Sequence, residues 1–312
     1  MGTAVRLLAK QFRFELLAAT IAVLAVAVIT VLIHAHVTSI LPTEACLTSW
    51  QGPGQGIAPG CENVQEYFNR LEHEAGQLTG AFILLPPILG AILGTILVAR
   101  DLEGRTTQFA WSLSADRGRW LTERVLPVGI YFALLLLVLA VSAELLEATR
   151  TPFIDTRAAF VDYGQRGLPL IVRGLFVFSV GVLVGSIIGR QLPALILSTV
   201  APLAMIYLLY PLFPYGAATA IVTQDSVGTG FNGYARDYEI KQVFRDSTGA
   251  IVDPGATGAF IDPNGQDVTL LWVIVPGTRL AEVELREAAI VGTGIALALG
   301  ASFLVVRRRR PY

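Results

Sequence analysis

Residues Ala99–Trp120 read ARDLEGRTTQFAWSLSADRGRW, a charged and aromatic segment set between two long apolar runs. Its ends are polar: Arg100, Asp101, Glu103 and Arg105 open it, and Asp116, Arg117, Arg119 and Trp120 close it. Its middle, Phe109-Ala110-Trp111, is apolar. That composition predicts a short helix lying at a membrane surface, with a polar face for a soluble partner and an apolar face for lipid or protein.

The surrounding chain supplies the membrane. Of 312 residues, 54% are hydrophobic and 15% charged, against ~25% charged in a soluble domain, so an integral membrane protein is expected. A net charge of −1 offers no electrostatic reason to expect nucleic acid as a partner. Lysine occurs only at Lys10 and Lys241. Neither completes G-x-x-x-x-G-K-[ST], so the chain does not read as its own P-loop ATPase, and no enzymatic activity and no cofactor of its own are expected.

Working outward, the run before the segment, residues 78–99, is long enough to cross a bilayer core of ~20 apolar residues. It contains Pro86-Pro87, expected to bend or break the helix, and the close-approach step Gly90-x-x-x-Gly94. The run after it, 125–146, ends in Glu144 and is followed at once by Glu147. Further spans are expected at about 16–36, 168–189, 192–212 and 287–306. The fourth carries Gly181, Gly185 and Gly189 at intervals of four, a helix-packing stripe. An apolar run as long as 16–36 reads as a span rather than as a signal peptide.

Residues 1–15 place Arg6, Lys10 and Arg13 on one side of a helix and Val5, Leu8 and Phe12 on the other, the pattern of an interfacial helix. The loops fall at 37–77, 100–124, 147–167 and 213–286. The first holds Cys46 and Cys61, whose joining as a disulfide would contribute ~3 kcal/mol by restricting the unfolded chain. Within it, 63–74 reads as helical. In the last, turn signals at Asp253-Pro254-Gly255 and Asp262-Pro263-Asn264-Gly265 and a strand-like 268–275 predict a small folded subdomain. The fold class is therefore an all-α membrane protein of six transmembrane helices with an N-terminal interfacial helix, a short cytoplasmic coupling helix and a small outer subdomain.

Charge orients the spans. The N-terminus, the 100–124 loop, Arg190 and Arg307–Arg310 together carry about 13 basic residues against about 5 acidic, and the other side about 10 against about 19. Positive-inside places both termini in the cytoplasm and the cysteine loop in the oxidising compartment.

Candidate chemistry is sparse. There are three histidines, no H-E-x-x-H and no G-x-S-x-G, so hydrolase chemistry has little residue support and Gly185-Ser186 reads as helix packing. His34 and His36 read as interfacial side chains, and no metal site is expected. Arg173 is the basic residue nearest membrane depth, with Glu144 and Glu147 at the same outer level. A structural ion pair with them, or snorkelling to the interface, is the expectation.

The same residues resemble type-2 ABC exporter permeases, in particular those of high-GC Gram-positive bacteria. Those proteins carry A-R-E-x-E-x-G-T-x-x-x-A-W-T-x-S-x-x-R-x-R-W after the second span. Ala99, Arg100, Glu103, Thr106, Ala110, Trp111, Ser114, Arg117, Arg119 and Trp120 match it, and Asp101 and Ser112 are close replacements. Gly104-Arg105 departs from it, since the family tends to place its glycine directly before the threonine.

The likeness continues through Arg190-Gln191-Leu192-Pro193-Ala194 and Pro276-Gly277-Thr278-Arg279 to Glu287, although Leu280-Ala281 stands where an aromatic pair is usual. The resemblance implies a six-helix permease in the bacterial plasma membrane that pairs with a second permease copy, as homo- or heterodimer, and binds two copies of an ABC ATPase. ATP and Mg would be held in that ATPase subunit. It further implies that Arg100, Asp101, Glu103, Gly104, Arg105, Thr106, Trp111, Arg117, Arg119 and Trp120 couple the chain to the ATPase.

Overall fold

The computed structural model describes residues 10–49, 59–104, 117–152, 155–209, 221–223, 237–245, 251–252 and 269–309. Eight α-helices and four strands are described: α1 Arg13–Thr38, α2 Glu44–Ser49, α3 Asn63–Arg70, α4 Gly76–Glu103, α5 Arg117–Arg150, α6 Gly167–Ile188, α7 Gln191–Leu209 and α8 Leu280–Arg308, with β1 Ile221–Thr223, β2 Tyr238–Arg245, β3 Ile251–Val252 and β4 Thr269–Val275. Among the described residues, five helical stretches are long and apolar enough to cross a membrane: Arg13–Thr38, Asn63–Glu103, Arg117–Arg150, Gly167–Ile188 and Gly277–Arg308. The expected span at 192–212 corresponds to α7, whose described apolar part is the shorter Gln191–Val200. Most of the expected interfacial helix, residues 1–9, lies outside the described residues.

The helices overrun their expected limits because polar residues extend them past the apolar core. A π-helical turn at Leu71–Ala75 joins α3 to α4, so the helical part of the cysteine loop and the second span are one continuous stretch. The expected break at Pro86-Pro87 does not occur, for both prolines lie inside α4. A helix enclosed by neighbours tolerates proline better than an isolated one. Likewise α8 starts at Leu280 rather than 287, led in by a short 3₁₀ turn at Gly277–Arg279.

Helix α6 is the hub and touches α4, α5, α7 and α8. It is apolar on all sides, as a helix at the centre must be, while α1 sits at the edge, packs chiefly on α5 and exposes Leu17, Ile21, Leu24 and Val28. The tightest crossing is α4 on α6. A Cβ at Gly90 would lie 2.8 Å from the Gly174 carbonyl oxygen, one at Gly181 3.1 Å from the Thr95 nitrogen, and one at Gly185 3.0 Å from the Thr95 carbonyl oxygen. The two expected glycine steps therefore meet at one pair, a Cβ at Gly94 lying 3.2 Å from the Gly181 Cα, while Gly90 meets Gly174 and Gly185 meets Thr95. Gly189 acts differently. With φ +67° it ends α6 in the left-handed conformation, its amide bonding the Gly185 carbonyl.

Polar groups within the bundle are satisfied locally or across helices. Thr30, Ser142, Ser186 and Ser302 donate to carbonyls one turn back. Thr95 Oγ1 and Ser198 Oγ, 2.9 Å apart, join α4 to α7, and Tyr131 Oη donates to the Leu16 carbonyl at 3.0 Å, joining α5 to α1. At the far end of α1, His34 Nδ1 meets Thr149 Oγ1 at 2.7 Å, and His36 lies between Glu74 and Arg70.

The strands form one antiparallel sheet in the order β1-β4-β2-β3. Its apolar central strand, TLLWVIV, is paired on both edges. Val275, Leu280 and Val283 pack with Phe160, Tyr163 and Tyr238, seating the sheet on the turn before α6 and the start of α8.

Cys46 and Cys61 are joined, tying α2 to the start of α3 across a sequence separation of 15. Closing a loop of that length contributes about 3 kcal/mol. The Cys46→Ser/Cys61→Ser variant should accordingly melt earlier than the native chain, and reductant should lower the melting temperature of the native chain alone.

Candidate coupling site at the arginine-rich end

The segment Ala99–Trp120 begins on α4 and finishes on α5. Arg100, Asp101 and Glu103 form the last turn of α4, which Gly104 closes by donating its amide to the Arg100 carbonyl at 3.0 Å. Arg117, Arg119 and Trp120 form the first turn of α5. Arg105, Thr106 and Trp111, with the expected surface helix, lie outside the described residues.

Carboxylates at a helix C-terminus face the negative end of the helix dipole and need compensation. Asp101, whose side chain is 7% exposed, forms an ion pair with Arg124 of α5, while Gln11 Nε2 donates to its other oxygen at 3.0 Å. The Arg124 guanidinium in turn lies 4.6 Å from the Trp120 ring centroid, a cation–π contact. Glu103 accepts from the Gln191 backbone amide at 3.0 Å, which places it at the positive end of α7. Arg100 reaches back to Glu15 of α1 at 3.0 Å.

The other end of the segment is tied to the tail of the chain. Arg117 donates to the Arg309 carbonyl, and Arg309 Nη1 donates to the Ser186 carbonyl at 2.6 Å. A Cβ at Gly189 would fall 2.7 Å from the Arg309 guanidinium, so this glycine also makes room for the tail. Arg119 pairs with Glu123 at 2.8 Å on the exposed face, and such a pair is worth a few tenths of a kcal/mol.

The two ends of Ala99–Trp120 are thus bound to α1, to the α6–α7 turn and to the end of α8, besides the helices that carry them. Arg100, Asp101, Glu103, Arg117 and Trp120 stand out in the sequence. Of their partners, Gln11 and Glu15 carry no local signal, because they are brought in from a distant part of the chain; Arg124 lies one turn past Trp120, and Gln191 and Arg309 stand in stretches noted in the sequence without any sign of which residue they would meet. The arrangement holds this segment's ends against the ends of several helices at once, so a displacement of either end is shared among them.

At the opposite end, the expected pairing of Arg173 with Glu144 and Glu147 is corrected. Arg173 Nε and Nη2 bind Glu287 of α8 at 2.5 and 3.1 Å, and Tyr163 Oη donates to the same carboxylate at 2.6 Å. Glu144 is held by Arg166 Nη1, at 3.1 and 3.0 Å to its two oxygens, and Glu147 pairs with Arg150 at 3.3 Å. Nothing local in the sequence distinguishes Arg166 from an ordinary loop residue. It is buried because the turn before α6 wraps around it, its guanidinium donating to the carbonyls of Thr156, Ala159 and Val161 at 2.8, 2.5 and 2.7 Å. With Glu144 taken by Arg166, Arg173 reaches across to α8.

Comparison with curated proteins and with solved structures gives no significant match. A protein-family model described as ABC-2 membrane transporter related matches residues 17–213, from the first span through the α4–α5 segment to the end of α7. Membership implies a membrane subunit that works with an ABC ATPase. On a match over more than half its length, the chain belongs to the ABC-2 membrane transporter related family.

Proposed function

We propose that this chain is the permease subunit of an ATP-driven exporter of a hydrophobic or amphiphilic substrate, a drug, lipid or peptide. It spans the plasma membrane six times, α7 providing the sixth crossing, with both termini in the cytoplasm. Two permease copies bind two copies of a separate ATPase, where ATP and Mg are held. The observation that carries the reading is the stitching of both ends of Ala99–Trp120 to α1, α7 and the end of α8. Closure of the ATPase dimer pushes on the segment, and the stitching passes that displacement to the helices as a change between inward-facing and outward-facing packings.

The expectation of a hydrophobic cargo rests on the scarcity of charge within the spans, since a charged cargo would require partners along its route.

The test is ATPase activity of the reconstituted complex. Glu103→Ala frees the α7 amide, and Trp111→Ala removes the largest apolar side chain of the segment's middle. Each should abolish most of the stimulation that the permease confers on the ATPase, with subunit assembly followed by co-purification. Unchanged stimulation in both variants would overturn the assignment. A second reading, a membrane-anchored sensor or immunity component that binds a peptide or partner through its outer loops, predicts no ATP-dependent accumulation in vesicles containing the ATPase. The exporter reading predicts that accumulation.

A further inference from the structure

At the end of the bundle away from the arginine-rich face, a cavity of ≈ 250 Å³ lies between α4, α6 and the turn that precedes α6. The α4 wall is Phe82, Ile83, Pro86 and Pro87, and the α6 wall includes Gly174 and Val177. Arg173 and Tyr163 contribute polar groups to the lining.

The proline pair gives the α4 wall a specific chemistry. In an unbroken α-helix the amides of residues 86 and 87 would donate to the carbonyls of Phe82 and Ile83. Proline has no amide hydrogen, so these two carbonyls lack the donors that the rest of the helix supplies. Among the described residues no side chain donates to either. Both residues line the cavity, and a strong acceptor in apolar surroundings favours any ligand that brings it a donor.

The opposite side of the lining carries balanced charge. The Arg173 guanidinium is held in two-point contact by Glu287, so the rim favours neither a net anion nor a net cation. Gly164, at φ +89°, lets the guanidinium lie directly against the turn: a Cβ there would sit 2.6 Å from Arg173 Cζ. A head with no net charge, offering N–H donors to the carbonyls and an acceptor oxygen to the rim, matches both surfaces. At ≈ 250 Å³ the cavity is smaller than the ~300–1,000 Å³ of drug-sized pockets. It therefore admits such a head and the first part of a single chain.

We propose that this cavity binds a zwitterionic amphiphile whose head carries N–H donors, a primary-ammonium lipid with one acyl chain, with the ammonium on the Phe82 and Ile83 carbonyls. The site stands on the cavity alone and does not require the chain to export what it binds there.

The experiment uses the full chain in phosphatidylcholine nanodiscs, photolabelled with a diazirine-bearing lysophosphatidylethanolamine. Labelling should map to α4 around residues 82–87 and to α6 around 170–177. Lysophosphatidylethanolamine should compete about tenfold better than lysophosphatidylcholine of the same chain length, which offers no N–H. Glycerophosphoethanolamine, the head without a chain, should not compete, because it buries no apolar surface.

Pro86→Ala/Pro87→Ala restores both amides and replaces two poor helix formers by a good one, so the fold is not endangered. It should bring lysophosphatidylethanolamine down to the level of lysophosphatidylcholine, with helicity unchanged by circular dichroism. Ile83→Trp, at a half-exposed position on the rim, should block labelling. Equal competition by the two lysolipids in the native chain, competition by the head alone, or labelling indifferent to these variants would overturn the proposal.

Discussion

Glu287→Ala will lower the stability of the bundle by about 3–5 kcal/mol, the range for removing one partner of a buried ion pair. The Glu287 side chain is fully buried and holds two hydrogen bonds from Arg173 and one from Tyr163. It therefore ties the start of α8 to α6 and to the turn beneath the sheet. Alanine leaves the guanidinium at depth with its countercharge gone, a cost larger than the worth of the pair itself. Thermal unfolding of the purified chain reads the loss. Glu287→Leu/Arg173→Leu/Tyr163→Phe, which removes these three groups together, should recover most of it, to within about 1 kcal/mol of the native chain. A native melting curve for Glu287→Ala would show that the pair bears no weight.

Gly94→Ala should cost about 3 kcal/mol, the upper part of the usual range for overpacking. An added Cβ would fall onto the Phe178 carbonyl, and the Gly181 Cα is only 3.2 Å from it. Both neighbours are backbone, so the clash is not relieved by rotating a side chain; α4 and α6 must separate. As α6 touches four other helices, that separation disturbs the centre of the bundle. Gly80 is the control, on the same helix with nothing within 4 Å of an added Cβ. There alanine should stabilise by about 0.5–1 kcal/mol through its helix propensity. Paired melts of the two variants check both signs, and equal effects would refute the close crossing.

Features set by local interactions are legible in the sequence, and those set by distant partners are not. The spans near 16–36, 78–99, 125–146 and 168–189 are legible because an apolar run either does or does not reach across a bilayer. Their ends are less so: α5 begins at Arg117 and α8 at Leu280, since polar residues with good helix propensity continue a helix past its apolar core. Pro86-Pro87 reads as a bend or a break from intrinsic preference alone, and the helix, packed against α6, runs through both prolines unbroken. Gly189 matches the spacing of a packing stripe, yet its position at the end of α6 makes it a cap.

At the candidate site the same division holds. Asp101 and Glu103 are recognisable as unusual, being carboxylates at the end of a long apolar helix, whereas Gln11 and the amide of Gln191 are not. The expected partners of Arg173 follow from depth on the preceding helix. The structure instead gives Glu144 to Arg166, from a turn that folds under α6, and gives Arg173 to Glu287.

By itself the sequence determined that this chain is a set of membrane-length helices whose polar connections are unequal in charge, basic residues outnumbering acidic ones on one side and acidic ones basic on the other, because apolar length and charge asymmetry are summed along the chain. Only the tertiary structure decided which charges neutralise one another, that Gly90 and Gly94 meet Gly174 and Gly181 of α6, and that Phe82, Ile83 and the two prolines line a cavity. Ion pairing and close packing act over a few ångströms between residues as far apart as 173 and 287, and no local pattern records which distant group will arrive within that range.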